Sequence, residues 1–228
     1  MTSSSNARGS NVTLAHAFDI ETSGPRIGRH SLMSIAAVCL EIPKRGPVTI
    51  IDQFFVTLRW PEGLVFDDKT RQFWAENPMA FAVSTTNTIP VKEAAHNLYT
   101  HIYAVQRKAH LRNAKYVVVT DNAYFDVAWI DWFLSTYTEQ GMPLRHNYFT
   151  GWMRSDRMIN LSERLSTLHE AGTPMDMRFF ASTVPHDHTP LNDAKALAEK
   201  YAYYKRQLRA VRHVSEEPVW PRGDVRPQ

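Results

Sequence analysis

Phe18-Asp19-Ile20-Glu21-Thr22 closes the first apolar run of the chain and marks where a sheet begins. The run from Val12 to Ile20 is rich in β-forming residues and is succeeded by Gly24, Pro25 and Gly28, so a strand is predicted there. Alternate side chains of a strand share a face, which puts the Asp19 and Glu21 carboxylates on one side. Two like charges that close repel unless a cation lies between them, and hard ions such as Mg²⁺ take oxygen donors of this kind. A D-x-E tripeptide alone also fits an exposed strand end, so the pair gains its meaning from acidic segments further along the chain.

Beyond that strand, Leu32 to Leu40 and Val48 to Leu58 read as second and third strands, separated by Pro43, Gly46 and Pro47. Three strands joined by turns predict an antiparallel meander. Asp67 to Glu76 is expected as a short helix, and Val91 to Ala109 as a longer one with Ala94, Ala95, Leu98, Ile102 and Val105 at helical spacing. Tyr116-Val117-Val118-Val119 is a continuous apolar run of the buried parallel type, followed by a helix over Ala123 to Tyr137. A short strand near Tyr148 to Met153, a helix from Ser162 to His169 and a long helix from Pro190, capped by Thr189, complete the pattern. The expected class is α/β with a mixed five-stranded sheet, three strands antiparallel and two parallel.

The length of 228 residues suits one buried domain, here residues 12–213, between a polar tail at 1–11 and a Pro-rich tail at 214–228. Hydrophobic residues at 43% and charged residues at 21% argue against a disordered or fibrous chain. The lone Cys39 has no intrachain partner, and Met1 to Asn6 lacks the basic and apolar regions of a signal peptide. An intracellular, cytoplasmic protein with no membrane partner is expected, since no apolar run reaches about 18 residues. A net charge of +3 with pI near 9.0 is compatible with a polyanionic partner without requiring one. The basic run Lys205, Arg206, Arg209, Arg212 and His213 fits a solvated face near a helix C-terminus. No Gly-rich phosphate loop of Walker or dinucleotide type occurs.

Two further segments carry chemistry: Asp121-Asn122-Ala123-Tyr124-Phe125-Asp126 and His188-Thr189-Pro190-Leu191-Asn192-Asp193-Ala194. Asp126 and Asp193 each fall near a predicted helix N-terminus, where the backbone dipoles favour an ionised carboxylate. Asp131 lies further along its helix and reads as a surface residue. His188, just before the cap, has an ordinary pKa of about 6.5 that suits an imidazole for taking a proton from water. His186 is its rival, and the two histidines flanking Asp187 also fit an ordinary loop or zinc ligation, although Cys39 alone adds little to a soft-ligand site. Of the aromatics, Trp74 either stacks on a base or packs its helix on the sheet, Trp129 is expected in the core and Trp132 on the surface. Tyr201, Tyr203 and Tyr204 lie either at a homodimer interface or against the domain's own sheet.

Phe18-Asp19-Ile20-Glu21-Thr22, Asn122-x-x-Phe125-Asp126 and His188-x-x-x-x-Asp193-Ala194, in this order, resemble the three motifs of the DEDDh 3'-5' exonucleases. The resemblance spans nearly the whole predicted domain. It implies an RNase H-like fold with helices on both faces of the sheet, and two Mg²⁺ or Mn²⁺ ions held by Asp19, Glu21, Asp126 and Asp193. It further implies His188 as general base, the His-x(4)-Asp spacing choosing it over His186. Thr22, Asn122 and Phe125 would contact the terminal nucleotide, with Trp74 as the aromatic element found in some members. The reaction implied is stepwise release of 5'-nucleoside monophosphates from single-stranded RNA or DNA 3' ends. Two positions depart from the pattern: Asp121 stands where histidine is frequent, and Pro190 where alanine is frequent. The competing reading in the same fold is a module that binds nucleic acid or protein without cutting.

Overall fold

The computed structural model describes residues 12–138, 158–170 and 182–215 of the chain. Strand β1 (Val12–Thr22) pairs antiparallel with β2 (Leu32–Pro43), which pairs antiparallel with β3 (Thr49–Arg59), so the meander forms as predicted. Helices α1 (Asp68–Glu76) and α2 (Pro78–Thr85) come next, then a two-residue strand β4 (Ile89–Pro90) and helix α3 (Val91–Leu111). Strand β5 (Lys115–Thr120) lies parallel to β1, and α4 (Asp126–Tyr137) leaves its end. Strand β6 (Met158–Asn160), helix α5 (Leu161–Glu170) and helix α6 (Pro190–Ser215) complete the described elements.

The sheet has six strands in the order β4-β3-β2-β1-β5-β6, not five. The additional strand is β4, whose parallel pairing with β3 joins only Leu58 to Ile89 and Arg59 to Pro90. Two residues carry no period-2 signal, and Pro90 is tolerable there because the strand is at an edge. The expected strand at Tyr148 to Met153 lies outside the described residues, and β6 is the strand that pairs parallel with β5. Helix α2 is not foreseen in the sequence, because its segment Pro78-Met79-Ala80-Phe81-Ala82-Val83 is apolar nearly throughout and offers no stripe.

Helices cover both faces. Leu14, Phe18 and Ile20 of β1 face α3 and α4 together with Leu98, Ile102, Trp129 and Phe133. The alternate residues Ala15 and Ala17 face α6, meeting Ala194, Leu197, Ala198 and Tyr201. Small strand side chains let α6 sit close to the sheet, and the same parity carries Asp19 and Glu21 onto the α6 face. The N-terminus of α6 therefore lies above the end of β1. Tyr201 and Tyr204 are buried on this face, so they pack on the domain's own sheet, while Tyr203 is half-buried. Trp129 is fully buried as expected, whereas Trp132 is half-buried against the core and not on the open surface. No described helix is long and apolar enough to cross a membrane.

Candidate active site

Three elements converge at the C-terminal end of β1. Asp19, Glu21 and, from the first turn of α6, Asp193 present carboxylate oxygens within 4.8 Å of one another. All three are half-buried. Asp126, at the start of α4, stands outside that set but is close enough for its charge to act on Asp19 and Glu21. Its carboxylate accepts from the Thr120 hydroxyl at the end of β5 and from the Asn122 N–H at 3.3 Å.

Burial and mutual repulsion dominate the electrostatics. Burial, then the charges of Glu21, Asp126, Asp193 and Asp121, raise the Asp19 carboxyl well above its ordinary range. Glu21 is pushed up to about 8, by burial first and then by Asp193 and Asp126. Burial also lifts Asp126 to about 6 although Thr120 and Asn122 favour its ionised form, and it raises Asp193 against the opposing pull of His186. The expectation that helix dipoles keep Asp126 and Asp193 readily ionised is therefore corrected, because removing a carboxylate from water outweighs a dipole at a helix end. Asp19 Oδ2 is buried and accepts no hydrogen bond. Among the described residues no lysine or arginine forms an ion pair with Asp19 or Glu21. A buried, unpaired acceptor among crowded carboxylates is what a hard divalent cation compensates, so the donor set fits such an ion.

The loop before α6 brings both histidines to Asp193. His186 Nδ1 lies 3.0 Å from Asp193 Oδ1, whereas His188 has its ring 4.5 Å from that of His186 and edge-on to Phe73 at 4.9 Å. His188 adopts φ +58°, a left-handed conformation uncommon outside glycine. Asp187 between them accepts from the Thr189 N–H at 3.0 Å, the Thr189 hydroxyl at 2.5 Å and the Asn192 amide at 2.8 Å. Thr189 thus starts α6 through its carbonyl, which accepts the Asp193 N–H at 3.0 Å, while its hydroxyl serves Asp187 and not a helix amide.

The expected substrate-contact residues separate. Asn122 is exposed and Phe125 half-buried beside Trp129, both on the turn leading into α4. Thr22 is buried, and its carbonyl accepts the indole N–H of Trp74 at 3.2 Å. Trp74 is only 4% exposed and packs with Met33 and Ala80, so it is a core residue and its ring offers no face to a base. Asp131 is half-buried, with one carboxylate oxygen lacking a hydrogen-bond partner, so it is not a simple surface residue. Two aromatics, Phe73 of the Phe73-Trp74 pair and Tyr124, take positions that the sequence does not assign them. Phe73 touches His188, and a helical wheel separates it from Trp74 by about 100°. Tyr124 is 91% exposed two residues before Asp126, and its neighbours Ala123 and Phe125 give no local signal that its ring alone faces outward.

No family model and no curated protein matches the sequence. Among solved structures, S. pombe Pop2p in its Mg²⁺- and Mn²⁺-bound form superposes with a TM-score of 0.52 at 9% identity, over 86% of this chain and 84% of that one. The nuclease domain of 3'hExo, a DEDDh family member bound to rAMP, is similar with a TM-score of 0.48 at 14% identity, over 86% and 92% of the two chains. Such identities speak for architecture alone. With its mixed sheet and helices on both faces, the chain has the RNase H-like fold.

Proposed function

We propose that the protein is a metal-dependent 3'-5' exonuclease that releases 5'-nucleoside monophosphates from single-stranded RNA or DNA. The observation that carries this reading is the meeting of Asp19, Glu21 and Asp193 within 4.8 Å, with Asp126 behind them and one buried oxygen left without a partner. A module that only binds gains nothing from such crowding, because each carboxylate raises the energy of ionising the others.

Asp19, Glu21, Asp126 and Asp193 would hold two Mg²⁺ or Mn²⁺ ions, with Thr120 and the Asn122 N–H fixing the orientation of Asp126. Such ions supply charge neutralisation at the phosphoryl oxygens and make water a better nucleophile near neutral pH. His188 takes the proton of the attacking water on a ring nitrogen as the phosphorus–O3' bond breaks, and the departing 3'-oxygen is protonated from solvent. Ring contacts with Phe73 and His186 would limit the freedom of the His188 imidazole and hold the base in place before substrate arrives. Asn122, Phe125 and the turn at Thr22 line the terminal nucleotide, and Tyr124 offers the stacking surface that Trp74 does not.

The test is a 3'-end shortening assay on 5'-labelled single-stranded RNA and DNA with Mg²⁺ or Mn²⁺. Wild type produces a ladder, while Asp19→Ala and His188→Ala do not. Intact substrates with both metals, or an Asp19→Ala variant that cuts as well as wild type, would falsify the proposal.

A further inference from the structure

His186, His188 and Asp193 offer two imidazole nitrogens and a carboxylate oxygen, all within 4.8 Å of one another. His186 Nδ1 and Asp193 Oδ1 are already 3.0 Å apart, and two donors bound at about 2.0–2.1 Å to one tetrahedral ion stand roughly 3.3 Å apart. The loop that carries the imidazoles is braced by the three hydrogen bonds to Asp187, which leaves that carboxylate committed to the turn. His186 keeps 71% of its side chain exposed, so an ion reaches the trio directly from solvent.

We propose that this trio is a second metal site, of mixed nitrogen and oxygen donors, which shares Asp193 with the carboxylate set, takes a borderline divalent ion of the Zn²⁺ class and thereby silences the nuclease. Hard Mg²⁺ favours all-oxygen surroundings such as Asp19 and Glu21 provide, whereas neutral imidazoles favour Zn²⁺, with a fourth position left for water. Occupation ties up the His188 lone pair needed to accept a proton and draws Asp193 away from the neighbouring carboxylates. The silencing rests on the exonuclease reading; the binding does not.

The experiment titrates untagged full chain with Zn²⁺ alone against a chromophoric chelator, for wild type, His186→Ala, His186→Gln and Asp19→Ala, with circular dichroism confirming that each variant is folded. X-ray absorption on the zinc-loaded wild type reads the donor atoms. The expected result is tight binding with an imidazole scattering signature, retained in Asp19→Ala. Both His186 variants should bind at least about tenfold more weakly, the smallest loss expected even for a partner one shell further out. The inference is overturned if both His186 variants bind zinc as wild type does, if imidazole scattering is absent, or if Asp19→Ala abolishes binding. Added to the Mg²⁺-driven cleavage assay, zinc should stop wild type at concentrations that leave His186→Ala cutting. A chain that cuts nothing with Mg²⁺ or Mn²⁺ defeats the exonuclease reading while the zinc titration still decides the site.

Discussion

At the level of single residues, the informative contrast is between aromatics that neighbour each other in sequence and differ in environment. Trp74 is buried with its indole N–H on the Thr22 carbonyl, so Trp74→Ala should destabilise the fold by about 3–5 kcal/mol, read as a lower urea midpoint. Tyr124 is exposed and its ring supports nothing in the core, so Tyr124→Ala should leave that midpoint unchanged. It should instead weaken binding of single-stranded RNA or DNA by about 1–3 kcal/mol in fluorescence anisotropy. Unchanged nucleic-acid affinity in Tyr124→Ala would remove that ring from the substrate path. Asp19 belongs to a different class, because its unpartnered oxygen has no structural bond to lose. Asp19→Asn should therefore keep the fold intact and lower the cleavage rate by a factor on the order of 10² to 10³, the range seen when one preorganised electrostatic group is removed. A stable variant cutting at the wild-type rate would contradict the role given to Asp19.

Among the strands and helices, the turn after β1 positions the site through a close approach that only glycine permits. A Cβ on Gly24 would lie 2.4 Å from His30 Nδ1 and 2.7 Å from Asp67 Cβ, and Asp67 caps α1 by accepting from the Lys69 and Thr70 N–H groups. Gly24→Ala should cost about 1–3 kcal/mol of stability by equilibrium denaturation, because β1 and α1 must move apart. An unaltered denaturation midpoint would show that the turn yields freely. Long elements were legible in the sequence mainly because burial leaves a pattern: β1, β2 and β5 appear as apolar runs, and α3 through Ala94, Leu98, Ile102 and Val105, whereas β3, largely exposed, is marked by its β-forming residues and the turn before it. The strand parity of Asp19 and Glu21 was legible for the same reason. Strands β4 and β6, of two and three residues, are too short for any period, and their existence depends on neighbours remote in sequence. The side on which Trp74 and Phe73 fall, and the choice of His186 by Asp193, are set by packing across elements, which no local pattern encodes.

Across the molecule as a whole, the two faces of the sheet place opposite demands on protonation. On the α3 face His16 is fully buried between Tyr116 and His101, and burial, then the neighbouring His101, hold its pKa well below 6.5. A histidine depressed in the fold stabilises it above the unfolded value and withdraws that support as pH falls. On the α6 face the carboxyls are shifted the other way. Glu21 titrates at about 8 and Asp126 at about 6, so the fold retains protons that the unfolded chain has released from about pH 4 upward. Their contribution is complete below about pH 4 and is lost as pH rises through the folded values. Between pH 6.5 and 8.5 the unfolded histidine gives up only the last part of its proton, a small opposing gain, and the carboxyls dominate the trend. Each pH unit over which one carboxyl stays protonated in the fold alone removes about 1.4 kcal/mol. In EDTA the melting temperature should therefore fall across this window. Saturating Mn²⁺ should flatten the profile, because a cation replaces the retained protons, and the metal-induced rise should be larger at pH 8.5 than at pH 6.5. Thermal unfolding followed by circular dichroism at both pH values, with and without metal, measures this. A metal-free profile that is level or rising would refute the raised carboxyls, and a metal shift equal at the two pH values would mean that the crowded carboxylates do not hold the ions.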